Sequence, residues 1–410
     1  MMRGPGRLLL STTFGALVAA CGQENAVPAR SSVVDSAGIA IVTSDALSSD
    51  RVCRVSGEPS FAVGEVSGDE RYEFYDIRGL VRLSDGSVAV ADETTSSVRV
   101  FGATGEYVRS MGRRGEGPGE FRDPYLMWVL PGDTIWVGNL RPWYFNVFTA
   151  GGEFVRTVRI SPAYANPSRG GGVLSNGSSI NVRVEGGGED YRTPRDVFVD
   201  AHTRDGGLVS TLMTLEGRRY GPPSGPINLV LDPLFEAAPS VDAGGTTIAV
   251  ASGREPEVRL LDEEFRLRRI IRWPDDDRDV TAAHASAWRE EFLERRRREG
   301  RAPGPIADLM AGEDRPVADR FPASSGVAIG RDGRVWVARY PKPRESAGWL
   351  VFEGDGEFLC HLESVPGLEV WEFGADYLLG TREDALGVES VAIFPFQPPD
   401  DTDAGIPEED

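Results

Sequence analysis

The sequence predicts an all-β fold, a six-bladed β-propeller of four-stranded antiparallel blades, and three observations carry that expectation. Residues 79–130 hold short runs that alternate apolar and polar residues, at Val81 and Leu83, Val88 and Val90, Val98 and Val100, and Tyr107 and Val108. Such alternation is what strands with one buried face require. Two turn signals separate these runs, Ser84-Asp85-Gly86 and Ala103-Thr104-Gly105, in which glycine supplies the positive φ of a tight hairpin. The unit then recurs. The first turn returns at Pro131-Gly132-Asp133, Ser175-Asn176-Gly177, Ala243-Gly244-Gly245, Arg331-Asp332-Gly333 and Gly374-Ala375-Asp376. The second returns at residues 150–153, 204–207, 262–265 and 354–357. One four-stranded sheet cannot bury its own faces, so repeats of it must stack, and radial closure leaves few open edges. The sixth unit lacks an outer strand after Phe394, and residues 59–64 can supply it, so both ends of the chain are expected to share the closing blade.

The run Gly112 to Phe148, with Gly-Glu-Gly-Pro-Gly-Glu-Phe, then Thr134-Ile135-Trp136-Val137 and Asn146-Val147-Phe148, resembles an NHL-type repeat. Residues 79–105 resemble the second half of such a repeat more closely. The likeness covers two blades and fades over the other four. The customary Asn-Arg before the third strand is absent, which makes Ser96-Ser97 and Trp143-Tyr144 departures from the pattern. The whole chain is similar to the six-bladed propeller lipoproteins found in many copies in some bacteria, most of which lack an assigned activity. That resemblance implies the fold and says little about a reaction.

In chain order, residues 1–20 combine Arg3 and Arg7, an apolar run from Leu8, and small residues before Cys21, the pattern of an exported protein's signal peptide. Leu17-Val18-Ala19-Ala20-Cys21-Gly22 resembles the bacterial lipobox, which implies that Cys21 is lipidated and anchors the chain in a lipid bilayer. Gly22 in place of Asp implies, by the same resemblance, the outer membrane. Residues 21–36 read as a flexible tether and residues 37–396 as the propeller. Residues 38–44 read as a strand, assigned to the closing blade, and the acidic residues 397–410 as a disordered tail. Cys53 and Cys360 are the other two cysteines; a disulfide and two separate buried thiols both fit the sequence. Residues 274–312 interrupt the repeat. Within them, residues 281–299 predict a helix with Ala287, Trp288, Phe292 and Leu293 as its apolar stripe and Gly300 as its stop. Placed between the fourth and fifth blades, this insertion should cover one mouth of the ring.

Composition narrows the partners. A net charge of −20 provides no broad basic field for phosphates, which argues against nucleic acid. Arg295 to Arg298 read as a solvated basic helix end, favoured there by the helix dipole. The three histidines, His202, His284 and His361, fall on outer strands or the inserted helix, too dispersed for a central metal site or a triad. Asp92, Glu93, Asn139, Glu185 and Glu383 recur just after the second strands and offer the oxygen ligands that Ca²⁺ takes, although polar loop caps occupy the same positions. Arg141, Arg254, Arg339 and Arg382 stand at similar strand ends, and Trp143, Tyr144 and Tyr340 add flat anchors for a ligand. The reading that follows is a membrane-anchored binding or scaffold module for a protein, peptide or glycan, without cofactor. A calcium-dependent propeller hydrolase or lactonase is the alternative.

Overall fold

Six blades stand around an axis in a computed structural model. It describes residues 31–399 apart from 66, 165–166, 187–191, 222–228, 276, 302–303 and 384–386. The first blade is built from Ile77–Arg82, Val88–Asp92, Ser97–Phe101 and Tyr107–Met111, and the second from Pro124–Leu130, Thr134–Asn139, Tyr144–Phe148 and Phe154–Arg159. Pro167–Val173, Ser179–Glu185, Pro194–His202 and Leu208–Arg219 make the third, and Ser240–Gly244, Thr247–Ala251, Glu257–Leu261 and Leu267–Arg272 the fourth. Gly326–Ile329, Val335–Ala338, Gly348–Phe352 and Phe358–Glu363 make the fifth. Leu368–Phe373, Tyr377–Glu383 and Glu389–Gln397 give three strands of the sixth. Phe61–Val63 completes it from the N-terminal side, pairing antiparallel with residues 391–393, and Arg54–Val55 extends the pairing to Phe396 and Gln397.

The second strand of each blade is sandwiched by a neighbouring blade on both faces. In the first, second, fourth and fifth blades it therefore reads as an apolar run, whereas Ser179–Glu185 of the third alternates Ile180, Val182 and Val184 with polar residues. Val88, Ala89, Val90 and Ala91 are all fully buried, as are Val335, Trp336 and Val337. The outermost strands alternate, as in Tyr107–Met111, because one face meets water. The apolar cores accordingly lie between blades. Met111 and Phe121 pack with Ile135, Val137 and Phe148 between the first and second, and Phe61, Val63, Val391 and Ile393 join the first blade to the last.

The third and fourth blades approach closely enough for their inner strands to pair in parallel, Gly171 with Asp242 and Gly172 with Ala243. A Cβ on Gly172 would lie 2.1 Å from the Ala243 carbonyl oxygen, so only glycine permits the contact. The two blades thereby fuse into one ten-stranded sheet.

Two expectations for the N-terminal segment are corrected. Ile39–Ser44 does not join the closing blade; it runs parallel to the outer strand of the fourth blade, with Ala40 opposite Arg269 and Thr43 opposite Arg272. Val42 is buried there, and Leu47 follows into the core between the fourth and fifth blades beside Trp273 and Phe352. Ser31–Ser36, assigned above to a tether, forms a hairpin with Ile39–Ser44. Ala37 and Gly38 turn the chain at φ of 55° and 84°, the two positive values that a two-residue hairpin needs. The signal segment, Cys21 and residues 400–410 lie outside the described residues.

The insertion holds α1 (Ala282–Arg298) and a second helix that the sequence reading did not anticipate, α2 (Pro305–Met310), which begins on a proline at its first turn. The Thr281 side chain caps α1 by accepting from His284 N–H, and His284 Nδ1 accepts from Thr281 N–H at 3.1 Å. Histidine thus takes the place that glutamate holds in the usual capping box. Gly300 leaves the helix at φ 66°. Ala285 and Phe321 pack on Leu234 and Phe235 of the connection between the third and fourth blades. Arg344 reaches Glu290 at 2.8 Å and Lys342 Nζ reaches the Asp277 carbonyl at 2.9 Å, which tie the insertion to the fifth blade. A disulfide joins Cys53, beside the closing strands, to Cys360 on the fifth blade, with Cα atoms 5.6 Å apart.

Candidate ligand cavity on the ring axis

The six inner strands converge on a cavity of about 390 Å³ that opens among the turns linking first and second strands. Leu80, Met127, Val173, Asp242, Ala328 and Trp371 represent the six blades in its wall. Inner strands at a propeller axis face one another without a continuous hydrogen-bonded ladder, so their edge N–H groups need other acceptors. Two acidic side chains serve here. Asp242 accepts from Ile329 N–H of the next blade at 2.7 Å. Glu372 accepts from Arg82 N–H across the closing seam at 3.4 Å and from the Tyr377 hydroxyl at 2.6 Å. Ser240 does the same work beside Asp242, its hydroxyl oxygen accepting from Val327 N–H at 3.0 Å.

Burial raises the pKa of both carboxyls. Desolvation pushes Asp242 up to about 6, against the opposing pull of the Ile329 and Ala243 N–H groups. Burial likewise raises Glu372, with Arg331, Tyr377 and Arg82 acting the other way. Tyr377 is raised as well, first by burial and then by the Glu372 carboxylate beside it. Arg331 lies across the opening. From the first turn of the fifth blade it donates to the Val129 carbonyl at 3.1 Å and to the Arg82 carbonyl at 3.3 Å, bridging to the second and first blades. Trp128 and Trp371 add flat apolar walls, and Ser84 closes on Asp133 at 2.5 Å on the rim. A second chamber, about 760 Å³, shares Asp242, Ala328, Trp371 and Phe373 with the first. Its further lining is more apolar and includes Val182, Val197 and Trp349, with Arg195 and Tyr220 at its edge. Asp242, Ala328, Trp371 and Phe373 thus border both spaces.

The residues singled out from the sequence lie elsewhere, at the opposite ends of the second strands, and most are engaged in holding loops. Asp92 is fully buried and pairs with Arg99 at 2.6 Å. Arg99 in turn donates to the carbonyls of Glu70, Arg71 and Glu73. Glu93 pairs with Arg78, and Glu185 with Arg183. Asn139 accepts from the N–H groups of Arg122 and Asp123 and donates to the Pro142 carbonyl, a loop cap. Glu383 stands beside Glu389, whose pKa burial raises, with Asp76, Asp92 and Glu383 adding repulsion. Among the described residues no three His, Cys, Asp or Glu side chains group closely enough to hold a metal ion, so the expected calcium set is not assembled.

The four arginines stand near the ends of their second strands, each in its own surroundings. Arg141 faces Asp123 at 3.4 Å, Arg254 pairs with Glu216 at 2.9 Å, and Arg382 lies over the Phe394 ring. Arg339 and Tyr340 border a separate outer cleft of about 620 Å³ between the fourth and fifth blades, beside Trp273 and Arg278. Trp143 and Tyr144 are buried, the indole donating to Asn181 at 2.7 Å and the phenol to the Glu120 carbonyl at 3.3 Å. Sequence reasoning missed Asp242, Glu372 and Arg331. The available signal was a lone acid inside an otherwise apolar inner strand, as in Ser-Val-Asp242-Ala-Gly.

Fold and cavity define a closed six-bladed β-propeller with an axial cavity. Residues 69–129 match the DUF5128 family, described as a 6-bladed beta-propeller. A Bacteroides fragilis protein described as exported is similar over 88% of this chain and 100% of its own, at 10% identity and a TM-score of 0.50. Virginiamycin B lyase from Staphylococcus aureus is similar over 84% of this chain and 99% of its own, at 9% identity and a TM-score of 0.38. For a gluconolactonase of Xanthomonas campestris the coverage is 79% and 87%, the identity 12% and the TM-score 0.39. At such identities the likeness concerns the fold, and neither enzyme's chemistry transfers to this chain. No curated protein matches the sequence.

Proposed function

We propose that the protein is an exported, lipid-anchored binding module of the bacterial envelope, held in the outer membrane through Cys21. Its axial cavity receives one end of a glycan or peptide. The observation that carries this reading is the cavity of about 390 Å³ walled by all six inner strands, with Trp128 and Trp371 as flat surfaces and Arg331, Asp242 and Glu372 as polar groups. Its size and its mix of apolar wall with few polar groups are those of small-ligand sites. The carboxylates on the opposite face, which a lactonase-type centre would need, are instead spent on Arg99, Arg78 and Arg183.

Glycan and peptide arrays probed with the purified chain, followed by calorimetry on the best hits, test the proposal. Binding that weakens at least about tenfold in Trp371→Ala and in Arg331→Ala, with the ring still folded, is the expected outcome. Ligands whose affinity ignores both substitutions would place binding elsewhere, and turnover of an ester or lactone panel by the same preparation would favour the hydrolase.

A further inference from the structure

The outer cleft of about 620 Å³ between the fourth and fifth blades shares no lining residue with either axial space. Leu47, Trp273, Phe321, Tyr340 and Leu350 give it apolar, mostly aromatic walls. Its charged groups stand out by what they leave unpaired. Arg141 and Arg254 hold carboxylates and Arg382 covers a ring, but the Arg339 side chain makes no hydrogen bond or ion pair among the described residues. Lys342, the chain's only lysine, donates to the Asp277 carbonyl and lies 5.8 Å from the centre of the Phe321 ring. It too has no carboxylate partner among the described residues. Arg278 is buried, and Asp275, which it meets at 2.5 Å, is shared with Arg320 at 2.9 Å. Three further acids line the same cleft, Asp45, Asp277 and Glu345, and all three are exposed. Asp277 accepts from Asp279 N–H at 3.1 Å; the side chains of Asp45 and Glu345 are unpaired among the described residues. Opposite charges therefore line one space without meeting across it. Burial lowers the His361 pKa and the Arg339 charge lowers it further, as a cation with no anion beside it would.

We propose that this cleft is a second ligand site and takes a zwitterionic small molecule with a flat apolar body, an aromatic α-amino acid. Its carboxylate lies on Arg339 and Lys342, its ammonium lies toward Asp45 and Glu345, and its ring lies along the aromatic walls. A simple anion would satisfy the two cations but would meet the exposed acids, on a chain whose net charge is −20. A simple cation would satisfy the acids and leave Arg339 unanswered. A molecule carrying both signs answers both and brings no net charge. Charge-assisted hydrogen bonds to a carboxylate are among the strong ones, and a guanidinium fork fits its two oxygens. The cleft has the volume of a small-ligand site, and its mix of apolar wall with a few polar groups is what such sites show. The proposal does not rest on the axial cavity, with which this cleft has no wall in common.

The test is calorimetry on the purified chain with L-tryptophan, with tryptamine, which lacks the carboxylate, and with indole propionate, which lacks the ammonium. Tryptophan should bind most tightly. Arg339→Gln should weaken tryptophan and indole propionate at least about tenfold and leave tryptamine no weaker. Asp45→Asn/Glu345→Gln should weaken tryptophan and tryptamine at least about threefold and leave indole propionate no weaker. All three substituted side chains are exposed, so the ring should stay folded in both variants. Arg141→Gln, an equal change of charge beside Asp123, should move none of the affinities. Location is read separately. Because Lys342 is the only lysine, reductive methylation with isotope-labelled formaldehyde gives a single side-chain signal, and tryptophan should shift it. No binding of tryptophan at about 10 mM overturns the inference. So do equal losses for all three ligands in Arg339→Gln, a single-charge analogue that binds as tightly as tryptophan, or a Lys342 signal that tryptophan leaves in place.

Discussion

Replacing Asp242 with asparagine should make the ring more stable at neutral pH. The folded carboxyl titrates near 6 against an ordinary value of 3.8, because burial penalises its charge. That difference corresponds to about 3 kcal/mol if the site were dry. Asp242 borders an axial space that solvent can enter, so about 1–2 kcal/mol is the expected cost of its charge at pH 7. The sign follows from proton binding. Between 3.8 and 6 the folded state holds the proton and the unfolded state has released it, so stability falls as pH rises through this window. Asparagine mimics the neutral acid and keeps an oxygen to accept from Ile329 N–H. Urea denaturation of wild type and Asp242→Asn should therefore give similar stabilities well below the window and a gain of about 1–2 kcal/mol for the variant at pH 7.5. A variant less stable than wild type at pH 7.5, or one with the same gain at both pH values, would refute the reasoning. If the charge is retained for a ligand, the stabilised variant should also bind it less well.

Three further outcomes follow from other contacts. Cys53 and Cys360 are 307 residues apart, and closing so long a loop restricts the unfolded chain by up to about 6 kcal/mol. Cys53→Ser/Cys360→Ser should lose about 3–5 kcal/mol in urea denaturation, and a loss below about 1 kcal/mol would contradict this. Arg99→Met should lose about 3–5 kcal/mol because it leaves the Asp92 carboxylate fully buried without its cation; a neutral result by the same assay would show that solvent reaches Asp92. Gly172→Ala should lose about 2–4 kcal/mol, and hydrogen exchange should show the inner strands of the third and fourth blades losing protection together.

Much of this architecture was legible because propeller turns are chemically demanding. Gly86, Gly105, Gly177, Gly333 and Gly356 all adopt positive φ, and their spacing marks the blades directly. The helix at Thr281 was equally legible, since a cap, an apolar stripe and a stopping glycine surround it. What escaped was anything decided by distance across the ring. Ala37-Gly38 is a hairpin signal, but which blade its strands extend depends on Leu47 and Val42 finding a core between the fourth and fifth blades. Asp92 and Asn139 recur at equivalent positions because equivalent loops need caps, and the periodicity that suggested a shared site was that of the scaffold. Asp242 and Glu372 are acids within largely apolar inner strands, and only convergence of all six inner strands turns them into neighbours of one space. The pairing of Cys53 with Cys360 was likewise a matter of geometry that spacing alone left open.

The closing blade draws its strands from residues 54–63 and 368–397, the two ends of the ring. During synthesis, then, residues 54–63 emerge early and must wait, with their hydrogen-bonding edges and Phe61 and Val63 unsheltered, until nearly the whole chain has been made. No intermediate length can seal the ring, because the partner strand is the last to arrive. A shortened product ending before Glu389 would keep five blades yet remain an open arc with two sticky rims. Ring closure thus acts as a completeness check on synthesis: the oxidation that links residues 53 and 360 can lock only a chain whose fifth blade is already present, and the mature circle certifies that the sixth followed.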